Sequence, residues 1–69
     1  MAGSVARVTE ISAVSDTSFE EAIKLGLERA TTTLRNVRSA WVKEQRVDVG
    51  EGGQVTQYQV NMLVTFVLE

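Results

Sequence analysis

Gln57, Gln59 and Asn61 recur at every second position near the end of the chain, and in an extended strand that spacing puts three amide side chains on one face. A row of amides can read the hydrogen-bonding edge of a heterocycle, or it can pair across strands and with water. Trp41, the sole tryptophan, offers either a stacking platform or a hydrophobic anchor between subunits. The Ser39 hydroxyl would need a neighbouring base to act as a nucleophile, and the chain has no His. Asp16, Glu20 and Glu21 gather where a helix should begin. Their carboxylates could ligate Ca²⁺ or Mg²⁺, or simply complement the positive end of the helix dipole. Asp48 and Glu51 flank a turn and read the same two ways. Without Cys or His the usual zinc and haem ligands are missing, so only a hard, oxygen-ligated cation stays open. No acid–base pair suited to catalysis emerges, and a protein that is not an enzyme is expected.

The element that must position these groups is Val55 to Leu68, VTQYQVNMLVTFVL, whose alternation is that of one long β-strand. Tyr58, Val60, Met62, Val64, Phe66 and Leu68 form an apolar face that belongs in a core. The other face carries Val55, Gln57, Gln59, Asn61, Leu63, Thr65 and Val67, a mixture suited to a partner or ligand as well as water. At the usual strand rise this segment spans roughly 45 Å, whereas a compact globule of this length is only about 28 Å across. The strand must therefore curl or overhang its subunit, and either outcome favours assembly.

Upstream, Val5 to Ser12 alternates weakly and reads as a first strand. Ala13 to Ser18 is turn-rich, and Ser18-Phe19-Glu20-Glu21 is a capping box in which Ser18 accepts from the Glu21 amide while the Glu21 carboxylate reaches back. From Phe19 the apolar residues recur every third or fourth position, predicting a helix that frays between Leu34 and Val37. Phe19, Ile23, Leu27, Ala30 and Leu34 are expected to pack on Tyr58, Val60, Met62, Val64 and Phe66. Gly26 lies on that stripe, which predicts close approach of helix and sheet. Ser39 to Val49 reads as a second strand with neither face cleanly apolar, and Gly50-Glu51-Gly52-Gly53 turns it into a hairpin with the last strand. A single helix covers one face of the sheet, leaving Trp41, Val47, Leu63 and Val67 for the face that neighbouring subunits or a ligand would share.

The expected class is α+β, β-α-β-β, as one domain over residues 1–69. A core this small without a disulfide calls for another staple, and oligomerisation is the one that remains. The net charge of −2, with Lys and Arg scattered singly, gives no basic stripe for nucleic acid. Apolar runs are too short and interrupted for a bilayer, and the opening MAGSVARVTE lacks the order of a secretory signal. A cytoplasmic protein is the expectation, with neither nucleic acid nor membrane as partner.

Nearly the whole chain resembles the dodecin family. The resemblance rests on an opening strand and on Ser15-Asp16-Thr17-Ser18 before Phe19-Glu20-Glu21-Ala22-Ile23. It continues through Thr33-Leu34-Arg35-Asn36-Val37 and Val42-Lys43-Glu44, and closes with Tyr58-Gln59-Val60 running to Phe66-Val67-Leu68-Glu69. It implies a three-stranded antiparallel sheet wrapped on one helix, assembled as a hollow homododecamer that stores flavin at subunit junctions and performs no catalysis. Gln59 matches the family's Gln, whose amide reads the polar edge of the flavin. Flavin-binding members place a stacking Trp three positions before the Val of Val-Lys-Glu, and that position here is Ser39, with Trp41 two residues later. The same strand face carries both, about 6.6 Å apart. The resemblance thus implies riboflavin or FMN as ligand, and the substitution predicts weak or absent binding at a site of Ser39, Trp41, Gln59 and Gln57. Two other readings stay open: a flavin-sequestering protein that uses Trp41 and Gln59, and a structural or divalent-cation-binding assembly.

Overall fold

The computed structural model describes residues 3–68; Glu69, quoted in the closing segment above, lies outside them. The chain runs β1 (Val5–Ser15), α1 (Phe19–Thr33), β2 (Val37–Val49), a single 3-10 turn (Glu51–Gly53) and β3 (Val55–Leu68). The sheet order is β1-β3-β2, and β3 pairs antiparallel with both neighbours. The strand with the cleanest alternation is thus the central one, and each outer strand has one free edge. The fold is β-α-β-β with a three-stranded antiparallel sheet on one helix, as the sequence predicts.

Local chemistry explains where the elements begin and end. The Ser18 hydroxyl accepts from the Glu21 amide at 3.0 Å, so half of the capping box forms. The other half does not: the Ser18 amide donates to the Ser15 hydroxyl at 3.5 Å, and the Thr17 amide donates to the same oxygen at 2.9 Å. Ser15 therefore turns the chain, which is why β1 continues through Ala13 and Val14 instead of stopping at Ser12. At the other end α1 stops at Thr33, short of the predicted fray. Thr31 and Thr32 donate their hydroxyls to the carbonyls of Glu28 and Arg29, spending side-chain donors inside the helix. Asn36 then takes a left-handed φ of 59°, a conformation its short amide tolerates, and its carbonyl accepts from the Val67 amide at 3.0 Å.

The core lies between α1 and one face of the sheet. Val60, Met62 and Val64 of β3 are sealed, with Ala13, Ala22 and Ala30 buried around them. The helix line nearest the sheet is Ala22, Gly26 and Ala30, all small. A methyl group on Gly26 would stand 2.5 Å from Met62 Cε and 3.1 Å from Ala13 Cβ, so the predicted close approach is real. Leu27, one of the residues expected to pack on β3, lies beside this line and is half-buried. Phe19 and Tyr58 close one end of the core edge to face, with ring centroids 5.1 Å apart.

The subunit is long and thin, 58 × 19 × 13 Å, with a radius of gyration of 14.6 Å. A compact chain of this length would have a radius near about 11 Å. The overhang predicted from the length of the last strand is therefore present. No helix among the described residues is long and apolar enough to cross a membrane.

Candidate functional site

Antiparallel register decides which side chains share the face that α1 leaves uncovered. β3 contributes Gln57, Gln59, Asn61, Leu63 and Thr65; β1 places Val14, Ser12, Glu10 and Val8 opposite the last four of these. β2 places Asp48, Arg46, Glu44, Trp41 and Ser39 opposite all five in order. Two irregularities set the β2 series, one between Val37 and Ser39 and one between Val42 and Glu44. The second inserts Lys43 as an extra residue, so the parity of β2 reverses there. That reversal is why neither the odd nor the even positions of the strand look apolar throughout. It also moves Val47 to the helix side, where it pairs with Tyr58, correcting the expectation that Val47 belongs to the open face.

All four candidate residues lie on the open face, though not side by side. Ser39 pairs with Thr65 and Trp41 with Leu63, and the register between them is unbroken. Trp41 thus stays one full strand repeat from Ser39. Gln59 lies opposite Val14 and Arg46, four residues along β3 from Leu63, or about 13 Å. Trp41 and Gln59 of one chain therefore belong to different parts of the open face. Gln57, opposite Asp48, is exposed and stands outside the network that holds Gln59.

The face divides into two halves. Around Trp41, which is 49% exposed, stand Leu63, Thr65 and Val8, an apolar patch with no cover in the single chain. Beyond them is a connected polar cluster. The Gln59 amide nitrogen donates to Ser12 Oγ at 2.9 Å and to Asn61 Oδ1 at 3.2 Å. Ser12 Oγ donates in turn to Asn61 Oδ1 at 2.9 Å, and the Asn61 amide nitrogen donates to Glu44 Oε1 at 3.1 Å. A Glu10–Lys43 ion pair of 3.4 Å bridges the outer strands, and the bulge brings Glu44 to the same face as Lys43. Arg46 turns its Nη2 toward Asp48 at 3.4 Å. Ser12 and Glu44 were not legible as site residues, because only the cross-strand register brings them to the amide row.

The acidic residues at the start of α1 do not converge. Asp16 accepts from the Thr17 hydroxyl, and Glu20 pairs with Lys24 at 3.9 Å. Among the described residues no group of three or more acidic side chains is placed to hold a metal ion.

Comparison with known proteins adds to this geometry. The family model described as Dodecin matches residues 5–69. The chain belongs to the dodecin family. The curated dodecin of Thermus thermophilus is 42% identical over 67 residues, 97% of this chain and 96% of the relative. The solved structure of the dodecin of Streptomyces davaonensis superposes with a TM-score of 0.90 at 35% identity, covering 99% of this chain and 98% of that one. A calcium-chelating dodecin of Mycobacterium tuberculosis, described with a novel calcium-binding site, superposes with a TM-score of 0.80 at 32% identity over 96% of this chain and 93% of its own. The dodecin fold therefore spans nearly the whole chain.

Proposed function

We propose that this dodecin is a cytoplasmic, single-domain, non-enzymatic protein that assembles as a hollow homododecamer and holds small planar molecules where the open faces of two subunits meet. The observation that carries the reading is the open face itself: an uncovered apolar patch at Trp41 and Leu63 beside a fixed polar cluster at Gln59. Apolar surface recognises a ring, and an amide recognises its polar edge. Because Gln59 and Trp41 are separated along the sheet, each ligand draws its platform from one subunit and its polar contact from another.

Flavin binding is weak in this reading, because Ser39 replaces the aromatic wall expected at its position. Covering one Trp face against a ring contributes about 2 to 3 kcal/mol at the usual area coefficient, or roughly a hundredfold in affinity. Gln59 does not compensate, since a hydrogen bond exchanged with water nets about 1 kcal/mol. A calcium-storing role has less support, because among the described residues no three acidic side chains gather within one chain.

Light scattering at micromolar concentration should return the mass of a dodecamer. Titration of riboflavin fluorescence should show little quenching by the wild type, and stronger quenching by Ser39→Trp. Tight quenching by the wild type that disappears in Trp41→Ala would replace this reading with a flavin-sequestering one in which Trp41 is the platform. A stable monomer would remove the shared site altogether.

A further inference from the structure

The polar cluster on the open face has a direction, and Glu44 sets it. A carboxylate only accepts, so Asn61 must turn its amide nitrogen toward Glu44 Oε1, 3.1 Å away. Its Oδ1 is thereby aimed at Gln59, which answers with its own amide nitrogen at 3.2 Å. The Ser12 hydroxyl closes the ring, accepting from Gln59 and donating to Asn61. Both N–H bonds of the Gln59 amide are thus occupied inside the protein. Its Oε1 has no hydrogen-bond partner among the described residues, and the nearest cation across the sheet, Arg46, turns to Asp48.

The geometry points to Glu44 as a positioning residue that, through Asn61, holds Gln59 with its oxygen outward, so that the site selects planar heterocycles presenting a ring N–H donor. This inference rests on the ligand-binding reading above and deepens it. A freely turning glutamine reads donors and acceptors alike; one held in this direction offers a ligand only an acceptor. An imide or lactam edge with its N–H intact satisfies that oxygen. The same ring alkylated at that nitrogen leaves the oxygen unpaired, at a cost that unpaired buried polar groups carry.

The probes are riboflavin and riboflavin methylated at its imide nitrogen, titrated at high protein concentration against the assembled wild type, Glu44→Gln, Asn61→Val and Ser39→Trp. In the wild type and in Ser39→Trp, methylation should weaken binding about tenfold. Glu44→Gln keeps the size of the side chain but can both donate and accept, so Asn61 and Gln59 are free to turn and the ratio should shrink toward unity. Asn61→Val should shrink it as well, while circular dichroism reports an intact fold. Equal wild-type affinities for the two probes, or an unchanged ratio in Glu44→Gln, would overturn the assignment. If neither the wild type nor Ser39→Trp binds either probe, the flavin reading fails. The direction of the cluster is then decided on the free protein, by NMR of the Gln59 side-chain amide. Slow hydrogen exchange of both Gln59 side-chain N–H protons with solvent that speeds up in Glu44→Gln supports the assignment, and exchange unaffected by that substitution overturns it.

Discussion

On the side of the sheet that α1 covers, β3 presents Val60, Met62 and Val64 to a line of small residues, and all three are almost completely removed from water. On the other side the same strand presents Gln59, Asn61 and Leu63, all partly exposed, and nothing in the single chain lies over them. One alternating strand thus feeds two surfaces with different demands. The helix side gains its stability by closeness: Ala22, Gly26 and Ala30 let the helix come down until Met62 touches it. The open side keeps its order through cross-strand hydrogen bonds and an ion pair, which hold side chains in place without burying them. The folded subunit and the open surface are thus separable, and substitutions on each side should fail in different ways.

The largest effect is expected at Met62. It is 1% exposed and meets Gly26 in the same core cluster as Ala13, so truncation leaves a cavity that flanking small residues are poorly able to fill. Met62→Ala should destabilise the fold by about 2 to 5 kcal/mol, read as a fall in denaturation midpoint at every protein concentration. A loss below about 0.5 kcal/mol would mean that the helix does not press on the sheet there.

Gly26→Val tests the same contact from the other partner, with a smaller effect. A branched side chain at that position has to displace the end of Met62 and the Ala13 methyl, an overpacking that costs about 1 to 3 kcal/mol. Pairing it with Met62→Ala sharpens the point, since the space vacated by one change receives the other. The double variant should lose less than the two single losses combined, and simple additivity would show that the residues do not meet.

Both of these positions were legible from the chain alone, because helix and strand periods are local and Gly on an apolar stripe has few other uses. The bulges were not. Whether β2 carries an extra residue at Lys43 depends on its pairing with β3, and no run of residues within Ser39–Val49 announces it. Plain alternation consequently places Val47 on the open face and cannot join Ser12 and Glu44 to Gln59. The length of β1 escaped for a similar reason: Ala13-Val14-Ser15 has the composition of a turn, yet Ser15 serves β1 and the start of α1 at once. Periodicity names Leu27 as one member of the packing stripe but does not show that the small residues Ala22, Gly26 and Ala30 are its most deeply buried line.

The smallest effect on folding is expected at Trp41, and it is the substitution that separates the two faces most clearly. Half of the indole is exposed in the single chain and its neighbours are Leu63 and Ser39's pairing partner Thr65, so removing it opens no internal cavity. Trp41→Ala should leave the subunit fold within about 0.5 kcal/mol of the wild type. If that patch is where subunits meet, however, losing the one large aromatic side chain removes an anchor of the kind that dominates association. Stability of an assembly depends on protomer concentration, whereas a core defect does not acquire such dependence. Light scattering and circular dichroism across a dilution series therefore give different signatures. Trp41→Ala should dissociate at concentrations where the wild type remains assembled, with its secondary structure retained until dissociation; Met62→Ala should melt earlier with no new dependence on dilution. A Trp41→Ala protein that stays assembled at every dilution would place the subunit contacts away from the apolar half of the open face, and would leave Trp41 free to meet a ligand instead.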